Sequence, residues 1–467
     1  MKYERSSIID CPPAELGAWH FRSGAIHRLI PPWESIEVVR EAAPLVDGAV
    51  AEIRIRKGPL RTTLLARHEC VEPPARFVDV QQAGPFRAWR HEHRFGDSGG
   101  RAELCDSIDF ELPLGWAGRA LLGRRMLAEI DRQFRFRHAR TRADLARHAE
   151  LDARFGQARL RVGVTGASGL VGRQLCALLS TGGHEVVRFV RGKSSGPAEI
   201  PWDARDAENG VDPRSLEGLD AIVHLAGAGI AEGRWTPERK REVLESRTLG
   251  TQAVARAISR CARPPKVLVS ASAVGYYGDR PDGVMDETAS RGTGFLADVT
   301  AAWEQGTQAA EAAGTRVVHA RVGVVLTASG GALRKMLTPF LLGAGGPIGS
   351  GRQGFSWISL DDAIGALCFA LRDGSLRGPV NLVAPMALPQ RGFASVLGRV
   401  LRRPSFAPLP APVVRMMFGE MGQRLLLEGA LVRPAALEAR GFRFEHGSLE
   451  QALRFELGRM VQEEARP

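Results

Sequence analysis

The chain has 467 residues, a hydrophobic content of 44%, a charged content of 25% and a formal net charge of +11. A chain of this length is too long to fold around a single hydrophobic core, so two or three domains are expected. The composition is that of a soluble globular protein, which excludes a disordered or fibrous one. Most of the positive charge is arginine spread through every segment, with only six lysines. This distribution indicates a general abundance of arginine in the protein and not a nucleic-acid-binding surface.

The cysteines and the apolar stretches indicate a cytoplasmic protein. The six cysteines lie far apart and form no Cys-x-x-Cys pair, which argues against a zinc site and a disulfide framework. The first five residues include three charged side chains, and the sequence has no run of about 18 apolar residues. We therefore expect no membrane partner.

Residues 1–152 are expected to form a separate α+β domain. After a strand at residues 3–9 and a helix that opens at Pro12-Pro13, strand-like runs alternate with Gly, Pro or Asp. These runs cover residues 35–40, 49–56, 62–71, 75–81, 86–95 and 102–111. A helical pattern then covers residues 121–151, which predicts an antiparallel sheet closed by a long helix. This order resembles the helix-grip fold of the START-like (SRPBCC, polyketide cyclase-like) superfamily, whose sheet wraps the last helix around an apolar cavity.

His91 and His93 are the most distinctive polar residues of this segment, two apart on one face of a predicted strand. Such a pair lines a surface or cavity more often than it binds a metal, and because no third ligand is apparent we expect no metal site. Two interpretations of the domain stay open. Its interior holds an apolar ligand with His91 or His93 as a polar anchor, or it is a filled core that serves for dimerisation or docking.

The second domain, residues 159–400, alternates strands and helices, which predicts a doubly wound parallel sheet of the Rossmann type. Its first strand ends in the turn Thr165-Gly166-x-x-Gly169-x-x-Gly172, which opens a helix. A glycine turn lets a pyrophosphate approach the backbone, and the N–H groups and dipole of the helix attract its charge. The residues expected to bind a dinucleotide at this turn are Thr165, Gly166, Ser168, Gly169, Leu170 and Val171.

The end of the second strand predicts which dinucleotide is bound. About 20 residues after the glycines, where a carboxylate would hold the ribose of NAD, Arg191 and Lys193 are present, and no acidic residue occurs between Glu185 and Glu199. Cations at this place suit a 2′-phosphate, so the predicted cofactor is NADP(H). Buried strands at residues 220–227 and 266–278 end in small and hydroxyl residues at the ligand-binding edge of such a sheet, including Leu225, Ala226, Gly227 and Ser270.

These motifs resemble the extended short-chain dehydrogenase/reductase superfamily, and more closely its epimerase-family branch of NADP-binding oxidoreductases. Supporting motifs include Gly233-Arg234-Trp235-Thr236, Ser246-Arg247 and the Ser270 to Gly278 run, followed by Trp303-Glu304 and Arg316 to Arg321. The resemblance covers residues 159–455. It implies a small carboxyl-terminal substrate lobe at residues 401–460 and adds Arg321 to the residues that bind the cofactor.

One departure from the superfamily concerns catalysis. The usual Tyr-x-x-x-Lys pair moves a proton and holds the nicotinamide ribose, but Leu296 and Thr300 occupy its two places here when Trp303-Glu304 is aligned with the end of the usual helix. The candidate catalytic residues are Ser272, which matches the active-site Ser or Thr within one residue, and Tyr276 or Tyr277 as a phenol. A packed aromatic turn is the alternative role of the two tyrosines.

Two functions therefore stay open. One is an NADP(H)-dependent oxidoreductase or epimerase that acts on a small carbonyl or hydroxyl compound, and its candidate assembly is a homodimer. The other is a non-catalytic NADP(H) sensor or regulatory module, which the missing Tyr-x-x-x-Lys pair favours. The sequence names no substrate for the first.

Overall fold

The structure is a computed structural model that describes residues 1–460. The described residues divide into two units. The first consists of Met1–Ala158 with Cys176–His184 and Phe455–Met460, and the second of Arg159–Leu175 with Glu185–Arg454.

The first unit contains an antiparallel sheet and a long helix. Its strands are β1 (Lys2–Ile9), β2 (Ser35–Arg40), β3 (Val50–Lys57), β4 (Leu60–Glu72), β5 (Arg76–Ala83), β6 (Ala88–Ser98) and β7 (Arg101–Glu111). Its helices are α1 (Pro13–Phe21), α2 (Ala25–Leu29) and α3 (Gly115–Phe155). Within the described residues the strands form one sheet in the order β1-β7-β6-β5-β4-β3-β2. The predicted succession of hairpins and the long closing helix are therefore present.

The sequence explains both the length and the end of α3. Its apolar residues, among them Ile130, Phe134 and Leu145, return at helical spacing and are buried. The helix stops before Gly156, whose φ of 84° is a conformation that favours glycine. Two apolar clusters fill the two ends of the interior of this unit. One is built around Trp19, Phe77 and Phe95, and the other around Phe110 and Phe134.

From residue 159 onward strands and helices alternate. The strands are β8 (Arg161–Thr165), β9 (Glu185–Val190), β10 (Glu199–Pro201), β11 (Ala221–His224), β12 (Val267–Ala273), β13 (Arg280–Met285), β14 (Arg316–Val322), β15 (Val324–Leu326), β16 (Gly354–Phe355), β17 (Trp357–Ser359), β18 (Gly378–Leu382), β19 (Leu388–Pro389) and β20 (Ala430–Val432). The helices are α4 (Leu170–Thr181), α5 (Pro237–Ser259), α6 (Phe295–Gln305), α7 (Gln308–Ala312), α8 (Gly331–Leu341), α9 (Leu360–Arg372), α10 (Gln390–Leu401), α11 (Ala411–Gly422), α12 (Ala435–Ala439) and α13 (Leu449–Glu456).

The main sheet of the second unit has the order β10-β9-β8-β11-β12-β14-β18, and every neighbouring pair is parallel. The strand order reverses at β8, so the α/β Rossmann-type prediction is confirmed. In such a sheet ligands bind at the carboxyl edge, beside the strand where the order reverses. The glycine turn after β8 lies at this place.

The part of the chain assigned to the carboxyl-terminal lobe contains α11, α12, α13 and β20. β20 pairs in parallel with β13, which follows the Ser270 to Gly278 run. Ser356 bonds twice to β20, since its hydroxyl donates to Ala430 O at 2.8 Å and accepts from Val432 N at 2.9 Å. Residues 401–454 therefore pack within the second unit. Among the described helices, none combines the length and the apolar character that a membrane crossing needs.

Candidate active site

The glycine turn after β8 has a shape that only small residues allow. Gly166 has a φ of 65°, and a Cβ on it would lie 2.9 Å from the carbonyl carbon of Leu225. A Cβ on Gly172 would lie 2.2 Å from Gly166 O, because the first turn of α4 rests directly on the glycine turn. Gly169 is exposed and its Cβ would meet only Gly166 O, at 3.1 Å. Two glycines are thus needed for packing, while the third leaves room for a ligand.

Thr165 ties the glycine turn to the neighbouring strand end. Its buried hydroxyl accepts hydrogen bonds from Leu225 N at 3.0 Å and Ala226 N at 3.2 Å. The hydroxyl proton is then left for His224, whose Nδ1 lies 2.9 Å away. Thr165 therefore uses its hydroxyl within the chain to support the glycine turn, and its predicted contact with the cofactor stays a prediction.

His224 is fixed as a neutral imidazole by this bond. It is fully buried, and burial lowers its pKa to about 4. Because Nδ1 accepts from Thr165, the ring proton sits on Nε2, which has no hydrogen-bond partner among the described residues. The Trp202 ring meets His224 edge-on, with 6.0 Å between the ring centroids.

The predicted 2′-phosphate residues follow β9 at the same edge of the sheet. β9 pairs with β8, and Arg191 and Lys193 are both exposed just beyond its end. The next carboxylate along the chain, that of Glu199, accepts from Arg188 Nη2 at 2.8 Å and from Ser195 N at 2.8 Å. Because these donors neutralise Glu199, the exposed charge after β9 is positive.

Arg247 of α5 brings a further positive charge to the end of β11. Its Cγ would lie 3.5 Å from a Cβ on Gly227, and its guanidinium lies 5.0 Å from the centre of the Trp303 ring. Burial lowers its pKa to about 10. Among the described residues its one hydrogen bond is to Val243 O at 3.0 Å, and no carboxylate pairs with it. A half-buried guanidinium without a carboxylate partner can bind an anionic group of a ligand, which would offset the cost of burying its charge.

Ser272, the predicted catalytic serine, is buried at the end of β12. In the sheet it stands opposite Arg321 of β14, which stands opposite Asn381 of β18. The Ser272 hydroxyl donates to Glu304 Oε1 at 2.6 Å. Ser270, two residues earlier, is also buried and donates only a long bond of 3.4 Å to Ala271 O.

Glu304, in the last turn of α6, connects Ser272 to Arg321. Arg321 donates from Nε to Oε1 at 2.8 Å and from Nη2 to Oε2 at 2.9 Å, which is a bidentate pair. Both side chains are largely buried, with 4% of Arg321 and 12% of Glu304 exposed. The carboxylate raises the pKa of Arg321. The sequence predicted that Arg321 binds the cofactor, but its guanidinium is occupied inside the chain and its cofactor contact stays a prediction.

The two tyrosines occupy different surroundings. Tyr277 is fully buried, donates to Asn381 Oδ1 at 2.7 Å and accepts from Arg321 Nη1 at 3.1 Å. Burial raises its pKa. Tyr276 is half-buried and lies under the Arg321 guanidinium, with 3.5 Å from the guanidinium carbon to its ring centre.

The turn that carries the tyrosines packs on the helix where the usual catalytic pair would lie. A Cβ on Gly275 would be 3.4 Å from Leu296 Cβ and 3.6 Å from Thr300 Oγ1. The Thr300 hydroxyl donates to Leu296 O at 2.6 Å, so it is satisfied within α6. The phenols of residues 276 and 277 therefore come from the loop next to the two places that Tyr-x-x-x-Lys would occupy.

The structure thus groups Ser272, Tyr276, Tyr277 and Arg321 at one edge of the sheet, at the carboxyl ends of β12 and β14. Sequence reasoning missed the roles of Glu304 and Arg247. Both occur in motifs that carried the family resemblance, so the signal was available, but nothing in the sequence places Glu304 between a serine and an arginine.

The comparisons with known proteins agree with this architecture. A profile described as "NAD dependent epimerase/dehydratase family" matches residues 162–382, and one described as "Domain of unknown function (DUF1731)" matches residues 409–456. Epimerase family protein MT2273 of Mycobacterium tuberculosis is 42% identical over 292 residues, which cover 62% of this chain and 96% of that protein. Human epimerase family protein SDR39U1 is 39% identical over 300 residues, 63% of this chain and 99% of that protein. The chain belongs to the epimerase family.

Two solved structures extend this comparison. The nucleoside-diphosphate sugar epimerase of Corynebacterium glutamicum has a TM-score of 0.81 at 31% identity, and the match covers 98% of this chain and 90% of that one. This match therefore includes both units. Human SDR39U1, solved with NADPH, has a TM-score of 0.57 at 38% identity and covers 64% of this chain and 99% of that one.

The first unit contains a polar site that the sequence did not predict. His91 and His93 face its interior, and Asp79 of β5 brings a carboxylate within 4.8 Å of both. The expectation that the histidine pair has no third candidate ligand is therefore wrong. Asp79 was missed because it lies on a neighbouring strand, and strand register is not readable from sequence spacing.

Proposed function

We propose that this protein binds NADP(H) at the glycine turn and catalyses oxidoreduction or epimerisation of a small carbonyl or hydroxyl compound. The observation that supports a catalytic role is the hydrogen-bonded chain from Ser272 through Glu304 and Arg321 to Tyr277. It lies at the ligand-binding edge of the sheet and fixes a hydroxyl, a carboxylate and a phenol where the superfamily's usual pair is missing. NADPH is bound in the solved human relative.

The residues present fit this cofactor. Gly166 and Gly172 let the turn pack closely against the end of β11 and the start of α4, and Gly169 is exposed and leaves room for a pyrophosphate. Arg191 and Lys193 offer charge-assisted hydrogen bonds to a 2′-phosphate. Contacts of this kind are each worth about 1.5 to 3 kcal/mol, so NADPH should bind at least about tenfold more tightly than NADH. The bound cofactor would carry the hydride, and the protein would supply orientation and proton transfer.

We assign the proton donor to Tyr276, because the Tyr277 phenol is occupied by Arg321 and Asn381. The Arg321 guanidinium lies over the Tyr276 ring, and this cation–π contact holds the ring in place. Ser272, held by Glu304, orients the substrate oxygen. Arg247 receives an anionic group of the cofactor or substrate.

The catalytic proposal is tested by following NADPH oxidation with a panel of aldehydes, ketones and nucleotide sugars. For a substrate that turns over, Tyr276→Phe should lower kcat by about 10² to 10⁴, whereas Tyr277→Phe should chiefly lower thermal stability. Equal rates in the wild type and in Tyr276→Phe would exclude this donor.

The second candidate function is an NADP(H)-binding sensor without turnover. Leu296 and Thr300 at the places of the catalytic pair favour it, since neither can transfer a proton to substrate. Tight NADPH binding, together with no oxidation by any compound of the panel, would favour the sensor.

We also propose that the first unit is a START-like domain that holds an apolar ligand, with the two apolar clusters on either side of His91 and His93. The antiparallel sheet closed by α3 supports this assignment. A hydrophobic fluorescent probe should bind the full-length protein with a defined stoichiometry, and a probe that binds without saturation would contradict it.

A homodimer through the beginning of α3 is a further proposal. Leu114, Trp116 and Leu121 are 80%, 85% and 79% exposed there, and exposed apolar groups of this size mark interaction surfaces. Analytical ultracentrifugation should then show a dimer that Trp116→Glu dissociates. Such a protein would work in the cytoplasm, as its cysteine pattern predicts.

A further inference from the structure

The interior of the first unit contains a cluster of imidazoles and carboxylates on four neighbouring strands. Strand register creates it, because His68 on β4 stands opposite Asp79 on β5, which stands opposite His91 on β6. On the same face, His93 stands opposite Asp106 on β7. His68, His91, His93 and Asp106 are each at most 6% exposed. Burying two carboxylates among aromatic rings costs several kcal/mol unless they are compensated.

Three of these side chains direct one atom each to a common point. Asp79 Oδ2 lies 3.4 Å from His93 Nε2 and 3.9 Å from His91 Nδ1, and the three ligand atoms lie within 4.8 Å of one another. Two ligands bonded to one ion at about 2.1 Å are separated by roughly 3.4 Å in a tetrahedral site and at most about 4.2 Å when opposite. The two separations measured here fall in this range.

A second carboxylate, that of Asp106, contacts the ring nitrogens of the two histidines that do not face Asp79. Asp106 Oδ1 accepts from His91 Nε2 at 2.8 Å and lies 2.8 Å from His93 Nδ1, while Asp106 Oδ2 accepts from His138 Nε2 at 2.7 Å. With its proton on Nε2, His91 presents the lone pair of Nδ1 to Asp79. A histidine that binds a metal ordinarily gives its other N–H to a carboxylate in this way.

The remaining oxygen of Asp79 is also held. His68 Nε2 lies 2.9 Å from Asp79 Oδ1, and this contact leaves Oδ2 for the common point. Asp79 keeps 23% of its side chain exposed, which gives an ion a route from solvent. The guanidinium of Arg137 interacts electrostatically with Asp79 and Asp106. The carboxylates of Asp79 and Asp106 and the guanidinium of Arg137 together carry one net negative charge, which favours a cation.

We propose that Asp79, His91 and His93 bind one divalent first-row transition-metal ion, with Asp106 and His68 as positioning residues. Two imidazoles and one carboxylate match the ligand preferences of Zn²⁺ and Fe²⁺. Three protein ligands leave at least one coordination position for water or for an oxygen of a molecule held in the first unit. This site is separate from the proposed NADP(H) site and does not depend on it.

The test is metal titration of the full-length protein after treatment with a chelator, without an affinity tag. Co²⁺ should give visible absorption bands at one equivalent per chain, and Zn²⁺ should displace it. Asp79→Asn and His93→Gln should each weaken Zn²⁺ binding at least 100-fold. Asp106→Asn should weaken it about 10- to 100-fold while the stoichiometry stays at one.

Glu92→Gln is the matched control, because Glu92 lies between the two histidines in sequence but on the opposite face of β6. It should bind Zn²⁺ as the wild type does. Thermal melting and NADPH binding of each variant show that it is folded. The proposal is overturned if the folded wild type takes up neither ion at one equivalent, or if folded Asp79→Asn and His93→Gln bind Zn²⁺ with wild-type affinity.

Discussion

Glu304→Gln is expected to destabilise the second unit, because the carboxylate receives three donors through two oxygens. Oε1 accepts from Ser272 and Arg321 Nε, and Oε2 accepts from Arg321 Nη2 at 2.9 Å. A glutamine amide has one oxygen and one NH₂ group. Whichever way it is turned, an N–H of the amide faces an N–H of Arg321.

The magnitude follows from the burial of the pair. Arg321 is 4% exposed, so its charge would be left in the interior without a counter-charge. Removing one partner of such a pair costs about 3 to 5 kcal/mol. For a unit of this size the loss corresponds to a fall in melting temperature of roughly 6 to 10 °C.

Differential scanning calorimetry should resolve this transition. Glu311→Gln is the matched control, since Glu311 is exposed on the neighbouring helix α7 and loses the same charge. In a double-mutant cycle, Arg321→Met should change the free energy of unfolding little in a protein that already carries Glu304→Gln. A Glu304→Gln protein that melts within 2 °C of the Glu311→Gln control, with strictly additive effects in the cycle, would refute the reasoning.

Three further predictions concern the glycine turn and its support. Gly172→Ala should lower the stability by about 1 to 3 kcal/mol in thermal melting, because its Cβ meets Gly166 O at 2.2 Å. Gly169→Ala should melt within about 2 °C of the wild type but bind NADPH more weakly by fluorescence titration, since its Cβ points to the ligand side; unchanged affinity would contradict this role. The stability of the wild type should fall by about 3 kcal/mol relative to His224→Gln in urea unfolding as the pH drops from about 6.5 to 4, because only unfolded His224 gains a proton in this interval.

The fold was predictable wherever the pattern is local. Alternating apolar residues, glycine turns and helical spacing define each strand of the first unit and the β8 to α4 transition from neighbouring residues alone. The ends of helices were harder to predict than the strands. α3 begins at Gly115, six residues before the expected 121, because residues 115–120 contain two glycines and an exposed Trp116 and so lack the apolar periodicity on which the prediction rests.

The partners of the site residues were not predictable, because each depends on register across the sheet. Ser272 and Arg321 were both candidates, but their alignment across β12 and β14 places them beside Glu304. The same holds for Asp79, which reaches His91 only through the pairing of β5 with β6. Register depends on the whole buried face of a strand, so sequence spacing identifies the residue types of a site but not the contacts between strands.

The two polar clusters of this protein share one physical arrangement. Glu304 in the second unit is a buried carboxylate that receives three donors from β12 and β14. Asp106 in the first unit is a buried carboxylate that receives two donors, His91 on β6 and His138 on α3. Replacing a whole buried ion pair or network, both partners together, with well-packed apolar residues often costs nothing in stability, so the fold alone does not require either cluster. Each carboxylate instead fixes the orientation of a group that can react: Glu304 holds Ser272, and Asp106 holds His91. We propose that both carboxylates position groups that react or bind a ligand, and NADP(H) turnover and metal uptake are the measurements that test this proposal.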